Sequence, residues 1–299
     1  MRVLILGATG YVGRRLTYRL VADGYNVRAL VRSLDKGRAI LPSDAELSAG
    51  DLLDSETLAP AFDGVDIVVY LVHSMGTRDK SFEEMDRQIA TGVAEAAKGQ
   101  GTRQIVYLGG LGASSDSASA HLRSRAEVGD ILRTSQVPVT ELRAAVVVGA
   151  GSVSFQMIKH LVSRLPFMIC PRWVLVNTQP IAIDDALEYL TRSIGGQTVV
   201  GRTIDIGGPD VLSYRDMMVT VAQVMNLRRL IIQVPVLTPR LSSYWVNLVT
   251  PIRANLAREL IESVRNETVC SDNSRRELFD FEPMTFRQAV VSALANEEG

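Results

Sequence analysis

Three glycines at a fixed interval are the first residues in this chain whose spacing implies chemistry. Gly7, Gly10 and Gly13 stand in the run Gly7-Ala-Thr-Gly-Tyr-Val-Gly13, directly after the apolar stretch Val3–Leu6. In this spacing Gly7 permits a tight turn, Gly10 lets a pyrophosphate approach the backbone, and Gly13 lets a helix pack against the strand. The amides of the helix start, around Thr9, Gly10, Tyr11 and Val12, then face the phosphates. A dinucleotide fold meets the adenosine ribose at the end of its second strand, where an acidic residue suits NAD(H). Here Arg28 and Arg32 stand instead, and a guanidinium at Arg32 matches a 2′-phosphate, so NADP(H) is favoured and NAD(H) remains possible. Asp51 and Leu52 follow the third strand, where adenine would lie, with Asp51 placed to orient the amino group. His73 follows the fourth strand. His121 and Arg125 lie one helical turn apart, on one face, where an imidazole near neutral pH suits general acid work.

These residues need a particular scaffold. Apolar runs at Val3–Leu6, Asn26–Val31, Glu46–Ala49, Ile67–Val72, Gln104–Leu108 and Val139–Val148 read as buried parallel strands. Helical patterns fall between them: Arg14–Ala22, Leu52–Phe62 with Ser55 as N-cap, Phe82–Lys98, and one beginning near His121. The alternation predicts an α/β class, a doubly wound parallel sheet of the Rossmann type, with a smaller, mostly helical C-terminal part. Residues 1–150 form the dinucleotide-binding domain, to which 178–207 return. Residues 151–177 and 208–299 form a substrate or lid part. Within it Phe155–Leu165 and the stretch from Ser213 to Met225 read as helices, Pro166–Trp173 as irregular, and Leu230–Val236 as extended.

Composition excludes several classes. At 299 residues and 46% hydrophobic content the chain buries a full core, and a net charge of -1 without basic blocks gives no reason to expect nucleic acid. Cys170 and Cys270 lack any Cys-x-x-Cys partner, so neither a disulfide framework nor a metal site is indicated, and buried, inert thiols are expected. The first strand starts almost at Met1, and no run approaches the roughly 18 apolar residues of a membrane span, so a cytoplasmic protein is expected.

Taken together, the motifs resemble the short-chain dehydrogenase/reductase superfamily, in its atypical, NmrA-like branch and the bacterial YbjT-like NAD(P)-binding proteins. The resemblance rests on Gly7–Gly13, Leu71-Val-His-Ser-Met-Gly76, His121-Leu-Arg-Ser-Arg125, Pro138-Val-Thr-Glu-Leu-Arg143, Gly149-Ala-Gly-Ser152 and Gln179-Pro-Ile-Ala-Ile183, in that order along essentially the whole chain. It implies that Arg32 binds the 2′-phosphate, that Asp51 and Leu52 flank adenine, and that Leu71, Val72 and His73 line the path to the nicotinamide ribose. It also implies a departure. Active members use a serine at the end of the fifth strand and a Tyr-x-x-x-Lys on the next helix. This chain has Gly109 and Gly110 at the first position and His121 and Arg125 at the other two. No lysine lies between Lys98 and Lys159.

Two readings follow. In one, His121 donates the proton while Arg125 holds the nicotinamide ribose or a substrate charge, in an NADPH-dependent reduction of a small apolar carbonyl, enone or quinone. In the other, His121 and Arg125 are a polar helix face over bound cofactor, and the protein is a redox sensor or assembly factor. His73 could reach a substrate or bond backbone beside the cofactor. Met75, Phe155 and Trp173 would line an apolar ligand pocket, or belong to the core. The stretch 237–251, with Leu241, Tyr244, Trp245, Leu248 and Val249 at helical spacing, suits either a lid over that pocket or a peripheral membrane contact.

Overall fold

Val3–Leu6 is buried on both faces because it lies in the interior of a seven-stranded parallel sheet. The computed structural model describes residues 1–73, 82–112, 119–234, 264, 266–271 and 274–297. The expectations for Met75 and for 237–251 lie outside the described residues, as does the side chain of Trp173.

The first half runs β1 (Arg2–Leu6), α1 (Tyr11–Ala22), β2 (Asn26–Val31), α2 (Leu34–Ile40), β3 (Glu46–Ala49), α3 (Ser55–Phe62), β4 (Ile67–Tyr70), α4 (Phe82–Gly99), β5 (Gln104–Gly110), α5 (Ala120–Arg133) and β6 (Val139–Ala144). The second half holds β7 (Val147–Val148), α6 (Val153–Arg164), β8 (Phe167–Pro171), a 3-10 turn at Arg172–Leu175, β9 (Asn177–Thr178), β10 (Ile181–Ala182), α7 (Ile183–Ser193), β11 (Thr203–Ile206), β12 (Leu212–Ser213), α8 (Tyr214–Val224) and β13 (Leu230–Val234). Two further helices follow, α9 (Ser274–Leu278) and α10 (Phe286–Ala295).

The main sheet has the order β11-β6-β5-β4-β1-β2-β3, every pair parallel. The direction in which successive strands are added to the sheet reverses between β1 and β4. Ligands of open α/β sheets bind in the crevice at the carboxyl ends of such strands. Alternation along β1 sends Val3 and Ile5 into one core with α1 and α7, and Leu4 and Leu6 into another with α3, α4 and α5. A third core joins α6, α8 and α10.

Several elements differ from the sequence reading. Ser55 is the first helical residue of α3, not its cap. The Asp54 carboxylate caps instead, accepting from the Glu56 amide at 3.0 Å. The single strand expected over Val139–Val148 breaks after Ala144, and β7 leaves the main sheet to pair with β10. Pro166–Trp173, expected to be irregular, contains β8, which pairs in parallel with β13. Two prolines hide that strand from a pattern reading, although a proline is tolerated on a short two-stranded edge. The cysteines form no disulfide with each other and are half-buried, not fully buried, and burial lifts the Cys170 thiol to about 11.

Candidate functional site

The glycine loop has the geometry of an anion cradle. Gly7 has φ +84°, a backbone conformation that favours glycine, and a Cβ there would lie 2.9 Å from the Leu71 carbonyl oxygen across the β1–β4 crevice. A Cβ at Gly13 would come within 2.1 Å of the Gly7 oxygen, so only glycine lets α1 pass this close to the turn. A Cβ at Gly10 would meet only the Gly7 oxygen, at 3.2 Å, leaving open space beyond it. Gly10 is the N-cap of α1, carries no side chain to cap it, and no acidic residue occupies the first turn. The amides of Tyr11 and Val12 therefore keep the positive end of the helix available for a phosphate.

At the outer end of the cradle, Arg32 is exposed and makes no hydrogen bond or ion pair with any described residue. Ser33 next to it accepts from the Lys36 amide at 3.4 Å and starts α2, a helix the sequence reading missed. A serine followed by Leu-Asp-Lys was the available signal. Arg28 is not part of this end: it is buried against Glu46, and its guanidinium donates to the Ala61 and Asp63 carbonyls at 2.9 and 2.8 Å. Asp51 is exposed, with one carboxylate oxygen accepting from the Leu53 amide at 3.0 Å, which leaves the other for a ligand. Leu52 packs half-buried beside it.

The inner end gathers His73, His121 and Arg125. Leu71 extends the β4 pairing by donating to the Leu6 carbonyl at 3.0 Å, and Val72 and His73 continue past the sheet edge. Arg125 is buried on α5, not presented to a ligand. Its guanidinium donates to the Val72 carbonyl at 2.9 Å and to the Leu108 carbonyl, and lies 4.9 Å from the Tyr107 ring centroid. The Tyr107 hydroxyl in turn donates to the Arg125 carbonyl at 2.8 Å. Tertiary contacts of this kind leave no trace in sequence spacing. Gly110 packs beside the arginine, where a Cβ would make only ordinary contact with its Cβ and Cγ at 3.5 Å.

Both histidines are held neutral. Loss of water around His121 lowers its pKa to about 3, with the charges of Arg125 and His73 adding to the effect. Desolvation followed by Arg125 lowers His73 to about 4, opposed by Asp86. The buried Nδ1 of His121 has no hydrogen-bond partner among the described residues.

Phe155 is not brought to this cluster. It is completely buried in the third core with Ile158 and Met217. A cavity of about 270 Å³ does open in the second half, where Arg15, Gly149–Ala150, Ile183–Asp184, Ser292 and Asn296 meet, and none of the residues expected to line a ligand pocket borders it. Tyr11 of the glycine run reaches the same junction: its ring stacks under the Arg15 guanidinium at 4.3 Å, and a Cβ at Gly149 would collide with its hydroxyl.

A family profile described as NAD(P)H-binding matches residues 7–155, the span from the first glycine to the start of α6. The first half of the chain is an NAD(P)-binding domain, similar to the NmrA-like, atypical short-chain dehydrogenase/reductases. Among curated relatives, the photosystem II assembly factor Ycf39 of Guillardia theta is 24% identical over 95% of this chain and 90% of its own length. NADH dehydrogenase [ubiquinone] 1 alpha subcomplex subunit 9, from Arabidopsis thaliana mitochondria, is 24% identical over 71% of this chain and 55% of its own. Two solved structures share the fold. The triphenylmethane reductase of Citrobacter sp., complexed with NADP(H), has a TM-score of 0.77 at 17% identity over 98% of this chain and 100% of its own. A nucleoside-diphosphate-sugar epimerase from Staphylococcus aureus has a TM-score of 0.77 at 17% identity, over 97% and 99%. Among the described residues no helix is long and apolar enough to cross a membrane.

Proposed function

We propose that this protein binds NADP(H) in preference to NAD(H) and acts through the bound state, as a redox-responsive sensor or assembly factor in the cytoplasm. Residues 151–177 and 208–299 carry its partner or ligand specificity. The observation behind the reading is the engagement of Arg125: where a catalytic lysine would serve the cofactor, its guanidinium is committed to the Val72 and Leu108 carbonyls. With Gly109 and Gly110 in place of a serine, and His121 uncharged at neutral pH, no charged proton donor among the described residues stands beside the nicotinamide end. Bound nicotinamide would supply a hydride, but the chain's own residues are arranged to hold and orient the group. The glycine loop would hold the pyrophosphate, Arg32 the 2′-phosphate, and Leu71–His73 the inner ribose. The assembly-factor name of a relative that covers nearly the whole chain supports the same reading.

The unpartnered Nδ1 of His121 favours a second reading, in which a neutral imidazole hydrogen-bonds a small apolar carbonyl, enone or quinone during reduction. One experiment separates the two. NADPH oxidation is followed with quinones, aldehydes and enones, in wild type and His121→Ala, beside calorimetric cofactor binding. Binding without turnover supports the sensor; turnover lost in His121→Ala with binding intact supports the reductase.

A further inference from the structure

Four large apolar side chains share one water-facing surface of the β8–β13 ribbon. Phe167, Ile169, Leu230 and Ile232 are 65%, 57%, 52% and 46% exposed. Parallel register sets Phe167 beside Leu230 and Ile169 beside Ile232, so the period of two puts all four on the same face. The intervening Met168, with Ile231 and Cys170, packs into the third core. The ribbon therefore has a conventional inner face, and its outer face is apolar as well. Single exposed apolar residues are ordinary, but a contiguous patch marks a binding surface.

The charge around the patch identifies what it meets. From Gly151 to Ile183 the sequence holds Lys159, Arg164 and Arg172 and no aspartate or glutamate, Lys159 being paired with Glu297; from Met217 to Val234 it holds Arg228 and Arg229 and again none. Arg172 directly follows β8, and Arg228 and Arg229 directly precede β13, so both ends of the apolar face are cationic. Arg172 and Arg228 are exposed. Arg229 is braced against the end of α6, donating to the Val162 and Ser163 carbonyls at 2.5 and 3.1 Å, which fixes its charge at the start of the ribbon. The whole chain carries a net charge of -1, so this concentration is local.

We propose that the outer face of the β8–β13 ribbon docks on an anionic lipid surface. The four apolar side chains enter the boundary between headgroups and acyl chains, and the arginines at either end meet lipid phosphates. A second copy of this chain is a poorer occupant, because it would bring the same cationic ribbon ends against themselves.

Co-sedimentation tests the assignment, with vesicles of equimolar phosphatidylglycerol and phosphatidylcholine, and with phosphatidylcholine alone. The wild-type protein should sediment with the mixed vesicles and not with the neutral ones. The Phe167→Ser/Ile232→Ser variant should lose roughly tenfold or more in vesicle affinity, while keeping its melting temperature and its NADP(H) binding, since both side chains are exposed. Arg172→Glu/Arg228→Glu should weaken binding to the mixed vesicles in the same way. The proposal falls if the wild type ignores anionic vesicles or if the apolar double variant sediments as the wild type does. It also falls if that variant merely converts a dimer to a monomer, which would make the ribbon a self-interface.

Discussion

Arg125 on α5 donates to the main-chain carbonyl of Val72 at 2.9 Å, so the segment that leaves β4 toward the cofactor crevice is tied to a helix on the other side of β5. The same guanidinium holds the Leu108 carbonyl at the end of β5. One buried cation thus sets the relative positions of the two strand ends that flank the inner half of the site. It is a positioning residue for the Leu71–His73 segment.

Removing it should show first as lost stability. Arg125→Met keeps much of the volume but leaves two buried carbonyls without donors, at about 1–3 kcal/mol each, so urea denaturation should register a loss of about 3 kcal/mol. Cofactor affinity should fall too, while Arg125→Lys, which retains one charge and fewer donors, should recover part of both. A fully stable Arg125→Met protein would mean that the carbonyls are satisfied by other means.

The glycine loop was legible from sequence because its requirements are local: a positive φ at Gly7 and the close approach at Gly13 restrict residue type directly. The doubly wound parallel sheet was legible because doubly buried strands alternate with amphipathic helices. Arg125 was not, since its partners at Val72 and Leu108 lie 53 and 17 residues away and are backbone atoms that carry no sequence signature. Arg28 misled for the converse reason: its place near the ribose end of β2 says nothing of Glu46 and the α3 carbonyls that hold it. The β8 strand was hidden by Pro166 and Pro171 at its borders.

The fold itself gives the glycine positions different fates. Gly13→Ala should unfold the first domain or lower its melting temperature sharply, because its Cβ would overlap the Gly7 carbonyl. Gly10→Val should leave circular dichroism and melting close to wild type yet abolish binding of both NADP(H) and NAD(H), because the side chain enters the open space over the α1 amides. Retained binding in Gly10→Val would move the pyrophosphate elsewhere.

In the proposed function, Arg32 is the residue that distinguishes the two cofactors. Exposed and free of described partners, it should contribute to NADP(H) and not to NAD(H), and Arg32→Ala should weaken NADP(H) alone by about 1.5–3 kcal/mol, read by calorimetry at fixed ionic strength. An unchanged ratio of the two affinities would place the 2′-phosphate away from β2.

A pH-dependent signature comes from Asp185, buried on α7 with the Met284 amide donating to it at 2.8 Å. Burial, the largest influence, raises its pKa to about 6, against the Met284 hydrogen bond that lowers it, with Asp184 and Glu188 adding repulsion. A folded-state pKa above the unfolded value means that the folded protein holds this proton more tightly. Its contribution to stability is therefore fully present below about pH 4 and is lost as pH rises through about 6. His73 and His121 act in the opposite sense. Their folded-state values lie below the unfolded one, so stability is lost as pH falls from about 6.5 toward their lowered values. Asp185→Asn retains an acceptor for the Met284 amide and removes the charge. It should raise stability at about pH 8 by about 1–3 kcal/mol and leave it nearly unchanged at about pH 4. Thermal melts across that range check it, and a variant stabilised equally at both ends would show that relief of packing, not of charge, is responsible.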